Sequence, residues 1–214
     1  MRHIPLHTVS MFLLPVLMAL AGGGIAFARR PIGLLVLVLW GVWSAALALG
    51  CSTGAMSPYE QEQRFFLIAF GIVLLSVLLA APWEYGHFAG PIPRDGPLAW
   101  VGVLILAGAA PLQIASVLAL GRFYTRNLGI QPEHRLVTGG PYAIVRHPGY
   151  LSSFLGLLGT GLAMSSILGL LAAVLTVPLM IYRIRGEEQM LVDAFGDEYR
   201  RYASRTKRLF PFIY

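Results

Sequence analysis

Between Tyr150 and Tyr182 the chain runs for 33 residues without an Asp, Glu, Lys, Arg or His. As one straight α-helix this run would be about 50 Å long, against a hydrocarbon core about 30 Å thick. It has to fold back on itself, and Met164-Ser165-Ser166 near its middle is the place expected for a turn. Dense polar blocks flank the run. HRLVTGGPYAIVRHPGYL begins at His134, and RIRGEEQMLVDAFGDEYRRYASRT begins at Arg183. A hairpin would bring the two blocks together on one side of a membrane.

The rest of the chain supports a bilayer as solvent. Hydrophobic residues make up 57% and charged residues 12%, with mean hydropathy +0.69. A soluble domain carries roughly a quarter charged residues. Apolar runs place helices at 9–28, 32–51, 65–82 and 97–120. Pro31 and Pro97 suit the first turns of the second and fourth. The segment 83–96 is rich in Pro and Gly and reads as a loop, with Trp83 and Tyr85 as interfacial anchors. Residues 121–146 read as extended and turn-rich. Gly22-Gly23-Gly24 lies inside an apolar run, where close helix packing explains it better than phosphate binding.

The expected fold is an all-α integral membrane domain over 1–214. Four N-terminal transmembrane helices (1–120) form a scaffold, and a C-terminal hairpin with amphipathic helices forms the cofactor-binding and catalytic half (121–214). After the last span EEQMLVDAF is amphipathic, Gly196 is a helix stop, and Asp197 is placed to cap a short helix EYRRYASR. That helix, with Tyr199 and Tyr202 among five basic residues, reads as lying at the headgroup surface or as a solvated tail. With the C-terminal block in the cytoplasm, 13 of the 16 Lys and Arg residues fall on that side, and Arg29, Arg30 and Arg94 fall outside. Arg29-Arg30 dissents locally from the charge rule.

The net charge of +6 suits an anionic membrane surface, and no basic stripe points to nucleic acid. The single cysteine, Cys51, excludes an internal disulfide and a Cys-rich metal site. His87 and His134 stand at no ligand spacing, so no metal is expected. The N-terminal run has the outline of a signal peptide but is read as a retained first helix. There is no GxGxxG after a strand, so a Rossmann cofactor site is excluded.

Ionisable residues at a lipid boundary are functional candidates. Arg146, Arg183, His147, Glu187 and Glu188 qualify. Each also has a plain reading alone: the arginines as snorkelling anchors, Glu187 as an i,i+4 partner of Arg183, His147 as a pre-proline turn residue.

The ordered set HRLVTGGPY, RHPGY, a hairpin-length apolar run, EE, FGDEYRRY and a terminal PFI resembles the isoprenylcysteine carboxyl methyltransferase family, whose wider relatives include membrane phospholipid N-methyltransferases. The resemblance covers 117–214. It implies methyl transfer from S-adenosylmethionine. By analogy His134, Leu136, Val137, Gly140, Tyr142, His147, Pro148 and Tyr150 would line the cofactor pocket, with Glu187 or Glu188 closing it. The residue chemistry agrees: Leu136 and Val137 suit adenine, Glu188 or Glu187 the ammonium, His147 the carboxylate, and Tyr142 or Tyr150 the sulfonium. Arg146 and Arg183 are candidates to place an acceptor carboxylate, and Glu188 or His147 to act as base for an amine or thiol. The expected partners are a lipophilic methyl acceptor, isoprenylcysteine-like in the leading reading, and membrane lipids, with the active site on the cytoplasmic face. The rival readings are phospholipid N-methylation, small-thiol S-methylation, and a non-catalytic membrane binding or scaffold protein. Two departures stand out. Ser152 occupies a position where the family has glycine, and GRFYTRNLGI replaces the family's polar segment before HRLVT.

Overall fold

The computed structural model describes residues 6–49, 60–88, 90–124, 129–130 and 133–210. Cys51, the connection around it and the terminal PFIY lie outside the described residues. Among them the α-helices are α1 (Leu6–Ala21), α2 (Ile25–Ala28), α3 (Pro31–Leu49), α4 (Glu60–His87), α5 (Pro97–Leu120), α6 (Pro148–Ala163), α7 (Ile167–Phe195) and α8 (Asp197–Arg205). Short 3-10 turns occupy Gly121–Phe123 and Gly140–Ala143. Three stretches are long and apolar enough to cross a bilayer: Arg64–His87, Pro97–Phe123 and Ile167–Phe195. In α3 the apolar stretch Pro31–Ala45 is shorter, and α1 and α6 have 16 residues each.

The expected first helix, 9–28, is two. Gly23 (φ 100°) and Gly24 (φ 67°) adopt left-handed backbone that an L side chain resists, so the helix ends at Ala21 and restarts at Ile25. Close packing operates there too, because a Cβ on Gly86 would collide with the Gly22 carbonyl. The expected loop 83–96 begins later, since α4 continues past Pro82 to His87. Packing overrides the proline: Tyr85 is buried at 1% exposure and meets Phe27 edge-on at 5.8 Å. Tyr85 is thus a core residue, whereas Trp83 is 45% exposed.

The hairpin turn falls at Met164–Ser166, where the charge-free midpoint put it. Ser165 takes a left-handed φ of 50°. The Ser166 hydroxyl accepts the amide of Gly169 at 2.8 Å, capping α7, and donates to Glu84 of α4 at 2.5 Å. The Ser165 hydroxyl donates to the Pro93 carbonyl at 3.2 Å. The turn is therefore pinned to the α4–α5 connection.

The α5–α6 pair has the most extensive contact in the fold. A Cβ on Gly159 would lie 2.8 Å from the Leu106 amide nitrogen and 2.9 Å from the Gly102 carbonyl, so the two backbones nearly touch. Around this crossing lies the core of Trp40, Trp43, Leu106, Leu157 and Met164, with the Trp40 indole donating to Thr160 Oγ1 at 2.9 Å. The indole and the hydroxyl thus satisfy each other in the low-dielectric interior.

Two further expectations change. EEQMLVDAF is no separate helix but the last turns of α7, whose 29 residues span about 43 Å and so outrun the hydrocarbon core. Gly196, not Asp197, sits at the junction and caps both α7 and α8. Asp197 is the first residue of α8, and its carboxylate accepts from Arg200 at 2.7 Å.

Candidate active site

The chain ends of α5, α6 and α7 opposite the hairpin turn enclose a cavity of about 440 Å³. His147 is kept out of the helix by the proline after it and precedes α6 at φ −126°, ψ 59°; Pro148 then occupies the first helical turn. Arg146 and His147 are fixed by the C-terminal tail. Their amides donate to the carbonyls of Lys207 at 2.8 Å and Arg208 at 3.1 Å. On α7, Arg183 and Glu187 lie one turn apart and face the same cavity.

Of the residues singled out in the sequence, His134, Leu136, Val137, Tyr142, Arg146, His147, Tyr150, Arg183 and Glu187 line this cavity together. The hairpin therefore joins the two polar blocks. Gly140, Pro148 and Glu188 are absent from the lining. Gly140 is an exposed turn residue at φ 60°, and Pro148 is buried at the α6 start.

Glu188 sits behind the wall at the centre of an ion network. Its Oε1 accepts from Arg146 Nε at 2.8 Å and stands 3.4 Å from His147 Nε2, and its Oε2 accepts from Arg208 Nε at 2.8 Å. Arg146 also donates from Nη1 to the Ala203 carbonyl at 2.8 Å and to that of Thr206. The network ties α6, α7, α8 and the tail. Glu187 faces the cavity instead: Tyr150 donates to its Oε2 at 2.9 Å, and His147 Nδ1 stands 3.9 Å from its Oε1. Arg183 is buried, donates from Nε to the Tyr150 hydroxyl at 3.3 Å, and stacks its guanidinium 5.2 Å from the Phe66 ring centre.

His134 stacks on Phe123 at 4.6 Å and meets Phe195 edge-on. Burial holds its pKa below the ordinary value, and its Nδ1 has no hydrogen-bond partner among the described residues. Burial, reinforced by Glu187, pushes the Tyr142 phenol well above its ordinary range. Tyr202 is pushed up to about 12, chiefly by burial, and donates to the Tyr142 carbonyl at 2.7 Å. Both phenols stay neutral at physiological pH. The aromatic face of α8 packs inward: Tyr199 is buried and, with Tyr202, lines the cavity, while Arg200, Arg201 and Arg205 are exposed.

Several wall residues were missed in the sequence. Phe66, Leu67, Phe70, Gly71 and Leu74 of α4 form an apolar side, and Gln113 of α5 reaches in from the scaffold half. Apolar residues in an apolar helix carry no local signal, but a glutamine in the middle of a span does. Gln113 is 3% exposed, and its Oε1 accepts the Ser152 hydroxyl. The serine in the family's glycine position thus has a buried partner, and Gln113 Nε2 in turn stands 3.5 Å from the Tyr124 hydroxyl.

Residues 98–198 match the phospholipid methyltransferase family model. A probable protein-S-isoprenylcysteine O-methyltransferase of Oryza sativa subsp. indica is 30% identical over 119 residues, covering 54% of this chain and 62% of that protein. Over about half of its length the chain is similar to isoprenylcysteine O-methyltransferases. A cobalt-zinc-cadmium resistance protein, CzcN, of Cupriavidus metallidurans is also similar, at 36% identity over 116 residues, covering 52% of this chain and 51% of that protein. The matches thus span only part of these relatives' length. The solved structure of a eukaryotic intramembrane Ras methyltransferase, isoprenylcysteine carboxyl methyltransferase, aligns with TM-score 0.60 at 21% identity, over 93% of this chain and 74% of that one. That likeness shows the fold. The family match includes α5, α6 and α7, the helices that hold the site; α1 to α4 lie outside it.

Proposed function

We propose that this chain is an integral-membrane methyltransferase that takes S-adenosylmethionine in the cavity and methylates the carboxylate of an isoprenylcysteine-like, lipophilic acceptor, with the site on the cytoplasmic face. The observation that carries the reading is the two-sided wall. Tyr142, His147, Tyr150, Arg183 and Glu187 face Phe66, Phe70 and Leu74 across one space.

The donor set fits the cofactor. His134 offers a buried ring nitrogen lacking a partner, beside Leu136 and Val137, for a heteroaromatic base. Glu187 is the carboxylate on the wall and takes the ammonium, a role the sequence left open between Glu187 and Glu188. His147 is left to the cofactor carboxylate, and Tyr142 and Tyr150 offer π faces to a sulfonium. When bound, the cofactor supplies an electrophilic methyl group. The protein's share is alignment and exclusion of water. Arg183, between Tyr150 and Phe66, positions the acceptor carboxylate, which needs no base. The α4 wall receives the hydrocarbon part. Arg146, committed to Glu188 and two carbonyls, shapes the site from behind. The 13-to-3 division of basic residues supports the cytoplasmic face.

A second reading, N-methylation of a phospholipid amine, is favoured by the family model over 98–198. It requires loss of a proton, for which His147 is the candidate base.

The test is calorimetric titration of the purified chain in detergent with S-adenosylmethionine and with its demethylated product. Saturable one-to-one binding that survives a chelator is expected. Absence of binding, or loss of binding with the chelator, would overturn the reading.

A further inference from the structure

At the end of the molecule away from the cavity, two guanidinium groups share one aromatic ring. Arg30, just before α3, lies 5.1 Å from the centre of the Tyr85 ring and donates to the Tyr85 carbonyl at 3.4 Å. Arg94 lies 5.9 Å from the same ring centre. Tyr85 is anchored, since its hydroxyl donates to Asp95 at 2.6 Å, so cation–π attraction holds both cations beside one fixed plane. Arg29, next in sequence, is exposed.

The carboxylates at this end are engaged elsewhere. Asp95 accepts from Tyr85, and Glu84 accepts the Ser166 hydroxyl and, at 3.3 Å, the Leu168 amide. Among the described residues Arg29, Arg30 and Arg94 form no ion pair, and Arg94 Nε is buried without a hydrogen-bond partner. Positive charges this close repel one another, and a buried guanidinium N–H without an acceptor costs free energy. Both costs fall if an anion with several oxygens sits among them. The planar fork of arginine matches phosphate.

We infer that Arg30 and Arg94, arranged around Tyr85, together with the exposed neighbour Arg29, bind the phosphate of an anionic lipid headgroup on the face opposite the cavity. Free phosphate shares this chemistry. Membrane depth favours the lipid: Trp83, Phe88 and Trp100 are exposed at 45%, 51% and 44% at the same end and form an interfacial belt. The site also accounts for the basic pair that runs against the charge rule.

The test is native mass spectrometry of the full chain in detergent, with phosphatidylglycerol, phosphatidylcholine or inorganic phosphate added. Wild type should retain one more phosphatidylglycerol than phosphatidylcholine. Arg94→Gln and Arg29→Gln should each weaken that retention about fivefold, and the pair together should abolish it. Among the described residues the Arg94 and Arg29 side chains make no hydrogen bond, so these variants spare the Tyr85 carbonyl contact that Arg30 makes. Arg94→Lys should retain part of the binding. Arg200→Gln with Arg201→Gln, exposed on α8 at the other end, should change nothing. Equal retention in wild type and the Arg29/Arg94 double variant, or equal retention of the two lipids, overturns the site. Displacement of the lipid by millimolar inorganic phosphate overturns the lipid assignment and makes the free ion the ligand.

Discussion

Glu187 and Glu188 are neighbours in sequence with different surroundings, and the difference sets what each should do when changed. Glu188 accepts from two arginines and stands close to His147, with its side chain 11% exposed. Replacing one partner of a buried ion pair leaves the other charges uncompensated, at about 3–5 kcal/mol. Glu188→Leu should therefore lower the melting temperature strongly, through loosening of α8 and the tail. Glu187 is held by Tyr150 on the cavity wall, and its side chain is 29% exposed. On the proposed role of Glu187 in holding the cofactor ammonium, Glu187→Gln would remove a charge-assisted hydrogen bond, about 1.5–3 kcal/mol, so affinity should fall roughly ten- to a hundredfold with little loss of stability. Thermal melts and cofactor titrations on both variants check the division. Reversed effects would assign the ammonium to Glu188. A second residue-scale prediction follows from His134. Its pKa is depressed by burial, so between its folded value and the unfolded value near 6.5 the unfolded chain binds more protons. Stability should be full above about pH 6.5 and fall as pH drops below it, and His134→Asn should flatten that slope in denaturation measured against pH.

At the scale of elements, the fold depends on how closely α5 and α6 approach. Gly159→Leu would drive a side chain into the Leu106 and Gly102 backbone, and overpacking of this kind costs about 1–3 kcal/mol or more. Gly41→Ala, at a helical glycine with open space around it, should be neutral or stabilising. Melting of the two variants side by side checks the crossing, and equal losses would contradict it. Much of this architecture was legible in the sequence. The uncharged 33-residue run required a turn, and Met164–Ser166 was where the apolar face could break without exposing a charge. The prolines at 31 and 97 marked helix starts. Local signals misled where tertiary packing decided the outcome. The Pro- and Gly-rich segment 83–96 reads as a loop, yet Tyr85 and Gly86 pack against Phe27 and Gly22 and carry the helix on to His87. The glycine triplet reads as packing, yet two of its members need left-handed backbone. In the site, the polar blocks marked themselves because ionisable groups are costly at a membrane. The α4 wall gave no sign, since Phe66 and Leu74 resemble every other lipid-facing residue until α4 and α7 are placed together.

For the molecule as a whole, the two ends differ in kind. One carries the cavity, the ion network and most of the basic residues, and the other carries the pinned hairpin turn with Arg30 and Arg94 around Tyr85. Single cysteines at Pro91 and Ser204, both exposed, in a Cys51→Ala background, should label from opposite faces of sealed vesicles, with Ser204 on the cytoplasmic side. Labelling from one face would separate the hairpin from its expected span. The central claim is methyl transfer to a lipophilic carboxylate in the cavity between α4 and α7. The most direct measurement is transfer of radiolabelled methyl from S-adenosylmethionine to a farnesylated cysteine acceptor by the purified chain in lipid, followed by mild base. The account predicts a labelled product whose radioactivity is released as methanol, because a methyl ester is hydrolysed, and loss of turnover in Arg183→Leu. A base-stable label carried by phospholipid amines, or no transfer by a chain that binds the cofactor, would contradict it.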